Sequence, residues 1–179
     1  RLLCCEYRVA PDTLQGTRMT APYACHPQDS RGRLHPESLS SFRSPWRERH
    51  WALAPMENFF EPCWETGRAV RWRMDRLDGD LFAAAGLWER WLDPASGEII
   101  ASFTLLTVNA DAHPLMARMH RPGDEKRMPV LLTPGDFEAW LHATDEQAHA
   151  LVRSMPAVPL VGQPAPRELP PRTAPRAPP

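Results

Sequence analysis

Lysine is almost absent: Lys126 stands alone among 21 Lys and Arg residues, and all the others are arginine. Positive charge is therefore carried by planar guanidinium forks, which match phosphate geometry better than ammonium groups do. An excess of one sign is missing too. The formal net charge is −1, which excludes coating of nucleic acid by charge alone. No apolar run reaches the roughly eighteen residues of a membrane span. Cysteine is sparse, and Cys4, Cys5, Cys25 and Cys63 do not form a disulfide framework at this density. That pattern reads as a reducing, cytoplasmic setting. Cys4, Cys5, Cys25 and His26 lack the paired spacing of zinc ligands. His113 and His120 have no third ligand of clear spacing, so neither metal nor cofactor is expected. An initiator Met and a basic-then-apolar leader are also absent, so no signal peptide is read. The Arg1 start suggests a fragment, or a gene whose beginning was lost.

What is present can build a core. Hydrophobic residues make up 42% of the chain, with 7 Trp, 6 Phe and 2 Tyr. The length suits one domain with a tail. Residues 1–40 are irregular, with scattered Pro, Gly and Ser. Residues 41–153 carry the periodic patterns. The chain beyond 156 is dense in proline, and the stretch 163–179 reads as a disordered, polyproline-leaning tail behind a single domain over 1–162.

The middle zone reads mostly as strands. Ala69 to Met74 alternates apolar and basic residues, as a half-buried strand does. Asp78-Gly79 is a turn signal before the apolar run Leu81–Leu87, and the two segments read as a hairpin. Trp88–Leu92 reads as a third strand, which could also continue the second. Ile99–Val108 has the length and β-branched content of a central strand, and Met128–Leu132 is a shorter one. Short turns between strands imply an antiparallel meander. Thr133-Pro134-Gly135-Asp136 starts a helix to about His142. Thr144-Asp145-Glu146-Gln147 is a capping box for a second helix. A few helices on an antiparallel sheet make an α+β domain.

Three features could carry chemistry. Glu61 lies in Phe59-Phe60-Glu61-Pro62-Cys63-Trp64-Glu65. A carboxyl in an apolar setting is desolvated and suited to proton transfer; the plainer reading is a strand-edge Glu paired with an Arg. His120 follows a strand and precedes the charged loop Arg121 to Lys126, where it could carry protons near neutral pH. The plainer reading there is an incidental His in a solvated loop. Finally, Arg and Trp are interleaved at Arg43, Trp46 and Arg47 and again at Arg71, Trp72 and Arg73. Indoles stack on unpaired bases and guanidinium groups hold phosphates, a combination suited to single-stranded nucleic acid; the alternative is buried Trp beside solvated Arg.

The order of these pieces resembles a known family. Phe59 to Gly67, Ala85-Gly86-Leu87-Trp88-Glu89, Ser102 to Ala110, and His120 through Arg127-Met128-Pro129-Val130-Leu131-Leu132 together resemble the SOS response-associated peptidases, the abasic-site processing proteins, over about residues 41–161. The resemblance implies an α+β fold whose mainly antiparallel, bifurcated sheet curls into a pseudo-barrel with a few short helices. It implies recognition of abasic sites in single-stranded DNA. It also implies a covalent crosslink through an N-terminal cysteine, and autopeptidase processing that exposes that cysteine. By position, Glu61 matches the family's catalytic Glu and His120 its proton-shuttling His, with Pro122 to Lys126 as an insertion after the His.

The start departs from the family pattern. Family members begin Met-Cys-Gly-Arg, whereas Cys4 and Cys5 are near the beginning but are not followed by Gly-Arg. They are nucleophile candidates only if processing exposes one of them. Arg33-Leu34-His35-Pro36-Glu37-Ser38 stands where the family carries Asn-Ala-Arg-x-Glu. The expected protein is thus a monomeric, DNA-directed enzyme of the cytoplasm, nucleoid-associated when bound to damage, with no membrane partner. The alternative is a non-covalent single-strand binder or an inactive remnant.

Overall fold

A computed structural model describes residues 6–9, 23–25, 43–92, 94–153 and 158–166. Among these residues nine strands form one sheet, with the main path β2-β6-β5-β3-β4-β9. The strands are β1 (Glu6–Val9), β2 (Tyr23–Cys25), β3 (Trp51–Cys63), β4 (Val70–Arg76), β5 (Phe82–Leu92), β6 (Ile99–Asn109), β7 (Arg127–Pro129), β8 (Leu131–Leu132) and β9 (Leu160–Pro164). Three short helices accompany them: α1 (Arg43–Arg47), α2 (Phe137–Leu141) and α3 (Asp145–Arg153). The α+β class and the bifurcated, mainly antiparallel sheet are as expected. The pairing of β2 with β6 is parallel, and among the described residues the sheet stays open, ending at β2 and β9. No described helix is long and apolar enough to cross a membrane.

β3 organises the domain. Phe59 and Phe60 each pair with both β1 and β4, and Met56 pairs with both β1 and β5. A strand has only two edges, so β1 occupies one while β5 and then β4 share the other. β4 and β5 are both antiparallel to β3 and so run in the same direction. This overturns the hairpin expected between them. Asp78-Gly79 does turn the chain: the Gly79 N–H donates to Arg76 O at 3.0 Å, with Gly79 at φ 76°. Residues 77–81 nevertheless loop out and return to the same edge of β3. Arg76 ties the neck of that loop, donating to Leu81 O at 2.9 Å and to Asp78 Oδ2 at 2.6 Å.

The second branch point lies between β5 and β6. They pair from Leu92↔Ile99 to Gly86↔Leu105 and then diverge. The segment 127–132 fills the opening: β7 pairs β6 and β8 pairs β5. Val130 bridges the two, its N–H donating to Leu106 O and its carbonyl accepting from Ala85 N–H. The single strand expected over Met128–Leu132 is therefore two short ones. Gly86 marks the point of closest approach, where a Cβ would lie 2.4 Å from Thr104 O; only a residue without one fits.

The helices cover one end of the sheet through tryptophan. Trp51 of β3 packs edge-on against Trp46 of α1 (centroids 4.9 Å apart) and tilted against Trp140 of α2 (5.0 Å). Each indole N–H is satisfied: Trp51 donates to Ala143 O, Trp140 to Ala52 O and Trp46 to Asp145. The capping box of α3 forms as read, with Thr144 N–H on Gln147 Oε1 and Gln147 N–H on Thr144 Oγ1. Before α2, Pro134–Asp136 makes a 3-10 turn, with Asp136 accepting from the Thr133 N–H and hydroxyl. At the other end of the chain β9 continues through Pro164, and the Ala165 N–H donates to Arg71 O. Residues 163–165 thus lie against β4, past the expected boundary at 162, while 167–179 lie outside the described residues.

Candidate functional site

Glu61 sits near the C-terminal end of β3, directly opposite Trp72 of β4. Side chains alternate along a strand, and directly paired residues share a face. Glu61 and Trp72 therefore face the same way as the buried Phe59, Cys63 and Met74. Glu61 is itself 2% exposed.

His120 arrives from the far side. A 3-10 turn at Met116–Arg118 feeds Met119, which bridges to Cys63 at the end of β3. The His120 N–H then donates to Pro62 O at 2.8 Å. His120 adopts φ 61°, the left-handed region, which costs a residue with a Cβ about 1–2 kcal/mol. Residues held there against that cost cluster at functional sites. The result is a buried pair: His120 Nε2 lies 3.8 Å from Glu61 Oε2, with side chains 2% and 1% exposed.

The ring's proton is positioned by the backbone. Nε2 lies 2.8 Å from Arg127 O. A carbonyl can only accept, so Nε2 is the protonated nitrogen. Burial is the main influence holding His120 below the usual histidine range, aided by the charges of Lys126 and Arg127; the bond to the Arg127 carbonyl and the Asp124 charge oppose it. The ring is therefore neutral at pH 7, and Nδ1 carries the lone pair. Nδ1 is buried and makes no hydrogen bond among the described residues. Arg127 is anchored in turn: Nε donates to Thr107 Oγ1, Nη2 to Thr107 O and Nη1 to Glu125 Oε1.

Two guanidinium–indole contacts lie close by. Arg118 stacks over Trp72 at 4.9 Å and makes a two-pronged ion pair with Glu65, at 2.7 and 2.9 Å. That hydrogen-bonded pairing holds Glu65 below the usual carboxylate range. Arg121 stacks over Trp64 at 4.8 Å. Sequence reasoning noted the charge around His120 but not these partners, because both contacts cross between chain segments far apart in sequence.

The six residues expected to touch DNA separate. Arg43 and Arg47 are exposed on α1, one turn apart. Trp46 is 1% exposed within the tryptophan cluster and has no face to offer a base, which corrects that expectation. Trp72 lies beside Glu61. Arg71 and Arg73 take the opposite face of β4, where the Arg71 guanidinium sits 3.3 Å above Phe60 and Arg73 bonds Asp75. His113 is a turn cap, with Nδ1 accepting from the N–H groups of Leu115 and Met116. Among the described residues no three His, Cys, Asp or Glu cluster as metal ligands. Cys4, Cys5 and residues 33–38 lie outside the described residues.

The described residues thus form an open, bifurcated, mainly antiparallel sheet that carries a buried carboxyl–imidazole pair, Glu61 and His120. Residues 35–167 match the model of the SOS response associated peptidase (SRAP) family, and the chain belongs to that family. Abasic site processing protein YobE of Bacillus subtilis (strain 168) is 30% identical over 105 residues, covering 57% of this chain and 43% of YobE. A crystal structure of a protein from Bordetella bronchiseptica superimposes with a TM-score of 0.66 at 35% identity, covering 78% of this chain and 64% of that one. A shorter stretch of 29 residues is 69% identical to the deoxyguanosinetriphosphate triphosphohydrolase-like protein of Paracoccus denitrificans (strain Pd 1222), covering 16% of this chain and 8% of that protein. The chain thus spans less than half the length of YobE.

Proposed function

We propose that this protein processes abasic sites in single-stranded DNA, capturing the abasic sugar through a cysteine at the chain's N-terminus that an autopeptidase step exposes. The observation that carries the reading is the buried Glu61–His120 pair, 3.8 Å apart, in a chain of the SRAP family. The name of YobE supports the substrate.

The chemistry asks for two proton-handling groups. The open form of an abasic sugar is an aldehyde. An N-terminal cysteine offers an α-amine, with an ordinary pKa of about 7.7–8.0, that is partly neutral at pH 7. The amine attacks the aldehyde carbon, and loss of water leaves an imine. The thiol then adds to the imine carbon, the nitrogen takes a proton, and a five-membered thiazolidine closes. Glu61 transfers protons during sugar opening and amine attack. His120 takes and returns a proton at the imine stage through Nδ1. Trp72, Arg118 and Arg121 line the approach, where stacking and phosphate contacts suit an unpaired strand.

The test is a denaturing gel with single-stranded DNA carrying one abasic site, using the chain as it stands and a version beginning Met-Cys-Gly-Arg. A heat- and detergent-resistant band with the second version is expected. A band with the chain as it stands makes Cys4 or Cys5 the suspect. No band with either overturns covalent capture and leaves non-covalent strand binding or an inactive remnant; phosphate contacts would then show as binding that falls steeply with salt.

A further inference from the structure

The loop after His120 closes on one side chain. Arg121 to Glu125 form a loop between His120 and β7, with Gly123 at φ 85°. Lys126 draws the neck shut. Its Nζ donates to Arg121 O at 2.8 Å and to His120 O at 3.3 Å. Its own backbone is fixed on the far side, the N–H on Asp111 Oδ1 at 3.2 Å and the carbonyl on Ala110 N–H at 2.8 Å. The half-buried ammonium thus spans from the β6 end to the carbonyl of the one residue at the site held in the left-handed region.

We propose that Lys126 is a positioning residue for His120, clamping its carbonyl so that the ring stays on Arg127 O and Nδ1 remains the atom that exchanges protons. The idea rests on His120 acting as the proton carrier under the function proposed above. Three hydrogen bonds would then hold His120: N–H on Pro62 O, C=O under Lys126 Nζ, and Nε2–H on Arg127 O. Release of the middle one frees the peptide from its left-handed turn, and the ring loses its registry with Arg127. An ammonium suits this place because its three donors can serve two carbonyls from one point.

The charged groups around the ring are Glu61 on β3, Arg127 on β7, and Lys126 and Asp124 in the loop. They allow clamping to be separated from charge. The experiment is ¹⁵N NMR of ring-labelled histidine in the intact chain across pH, with the His120 signals identified by their loss in His120→Gln. In the wild type a single Nε2–H tautomer with a midpoint below the usual histidine range is expected. Lys126→Met should mix the two neutral tautomers and move the midpoint up, with Lys126→Arg restoring the single tautomer. Asp124→Asn, which changes charge alone, should move the midpoint down and leave the tautomer intact. If Lys126→Met keeps the single tautomer, whether or not its midpoint moves, Lys126 acts by charge or not at all, and the proposal falls. Thermal melts establish that each variant is folded. Should Lys126→Met unfold the chain, Lys126→Ala, which likewise removes every donor, is read by the same criterion. The ring is observed without DNA, so a failed crosslinking gel and a failed clamp are separate results.

Discussion

His120 gives its Nε2–H to the main-chain oxygen of Arg127 at 2.8 Å, and the carboxylate of Glu61 stands farther from the same nitrogen, at 3.8 Å. The backbone of β7 therefore fixes the tautomer, and the carboxyl is left for another role. A neutral, buried imidazole has a consequence for stability. Its folded value lies below the ordinary one, so the unfolded chain binds the proton more tightly. Stability must then rise with pH between the depressed folded value and about 6.5, and fall as pH drops through that window. Burial lowers His113 as well, with the same sign. Urea melts from pH 5 to 7.5 should show this slope, and His120→Gln should flatten it in part. An unchanged slope in that variant would mean the ring is not buried neutral in solution.

The tryptophan at position 46 belongs to stability. Trp46→Ala should cost about 3–5 kcal/mol, the usual penalty for emptying a large aromatic site. Arg43→Gln with Arg47→Gln should stay within about 0.5 kcal/mol of wild type, as exposed positions do. If these arginines touch phosphates, the pair should also weaken single-strand binding and reduce the salt slope by about 0.7 per lost contact. Chemical denaturation and a salt series of binding titrations check both halves. Weakened DNA binding by a still-folded Trp46→Phe, with the arginine pair inert, would reverse the assignment.

Gly86 and Gly79 are predicted to differ in kind. At Gly86 a Cβ would meet Thr104 O at 2.4 Å, and both atoms belong to paired backbone that cannot easily give way. Gly86→Ala should cost at least about 3 kcal/mol, at or above the upper end of overpacking penalties. At Gly79 there is open space but φ is 76°, so Gly79→Ala should cost only about 1 kcal/mol of backbone strain. Equilibrium unfolding of the two variants measures the contrast. Equal losses would place the divergence of β5 and β6 somewhere other than Gly86.

What could be read in the sequence was local. Alternation in Ala69 to Met74, the β-branched run after Ile99 and the capping box at Thr144 each depend on neighbours within a few residues, and each forms. β3 escaped because Pro55, Glu57 and Pro62 interrupt the alternation of Trp51–Cys63; its identity depends on β1, β4 and β5, which no local pattern reports. The turn at Asp78-Gly79 was legible, but the edge to which the chain returned was not. Glu61 and His120 were legible as candidates, by their aromatic and charged surroundings and by family resemblance. Their meeting was not, because it depends on Met119 bridging to Cys63 and on Arg127 reaching Thr107. Trp46 misled for a related reason: an Arg–Trp pattern has the same appearance whether the indole faces solvent or lies against Trp51.

Glu61→Gln offers the sharpest test of the chemistry. The amide has the size and shape of the carboxyl, so packing beside Trp72 and His120 should survive, and a retained thermal midpoint is the control. The amide cannot take up or release the proton. Loss of a positioned acid–base group slows the step it serves by about 10²–10⁴-fold. In a chain beginning Met-Cys-Gly-Arg, the rate of crosslink formation with abasic single-stranded DNA should drop by that factor, while affinity for the undamaged strand stays within about twofold, since binding rests on stacking and phosphate contacts. The same variant should be compared with His120→Gln. If Glu61 acts in sugar opening and amine attack and His120 at the imine stage, borohydride should trap an imine in His120→Gln and little in Glu61→Gln. Equal trapping in the two variants would mean that the pair serves a single step, and that the division of labour proposed for Glu61 and His120 is wrong.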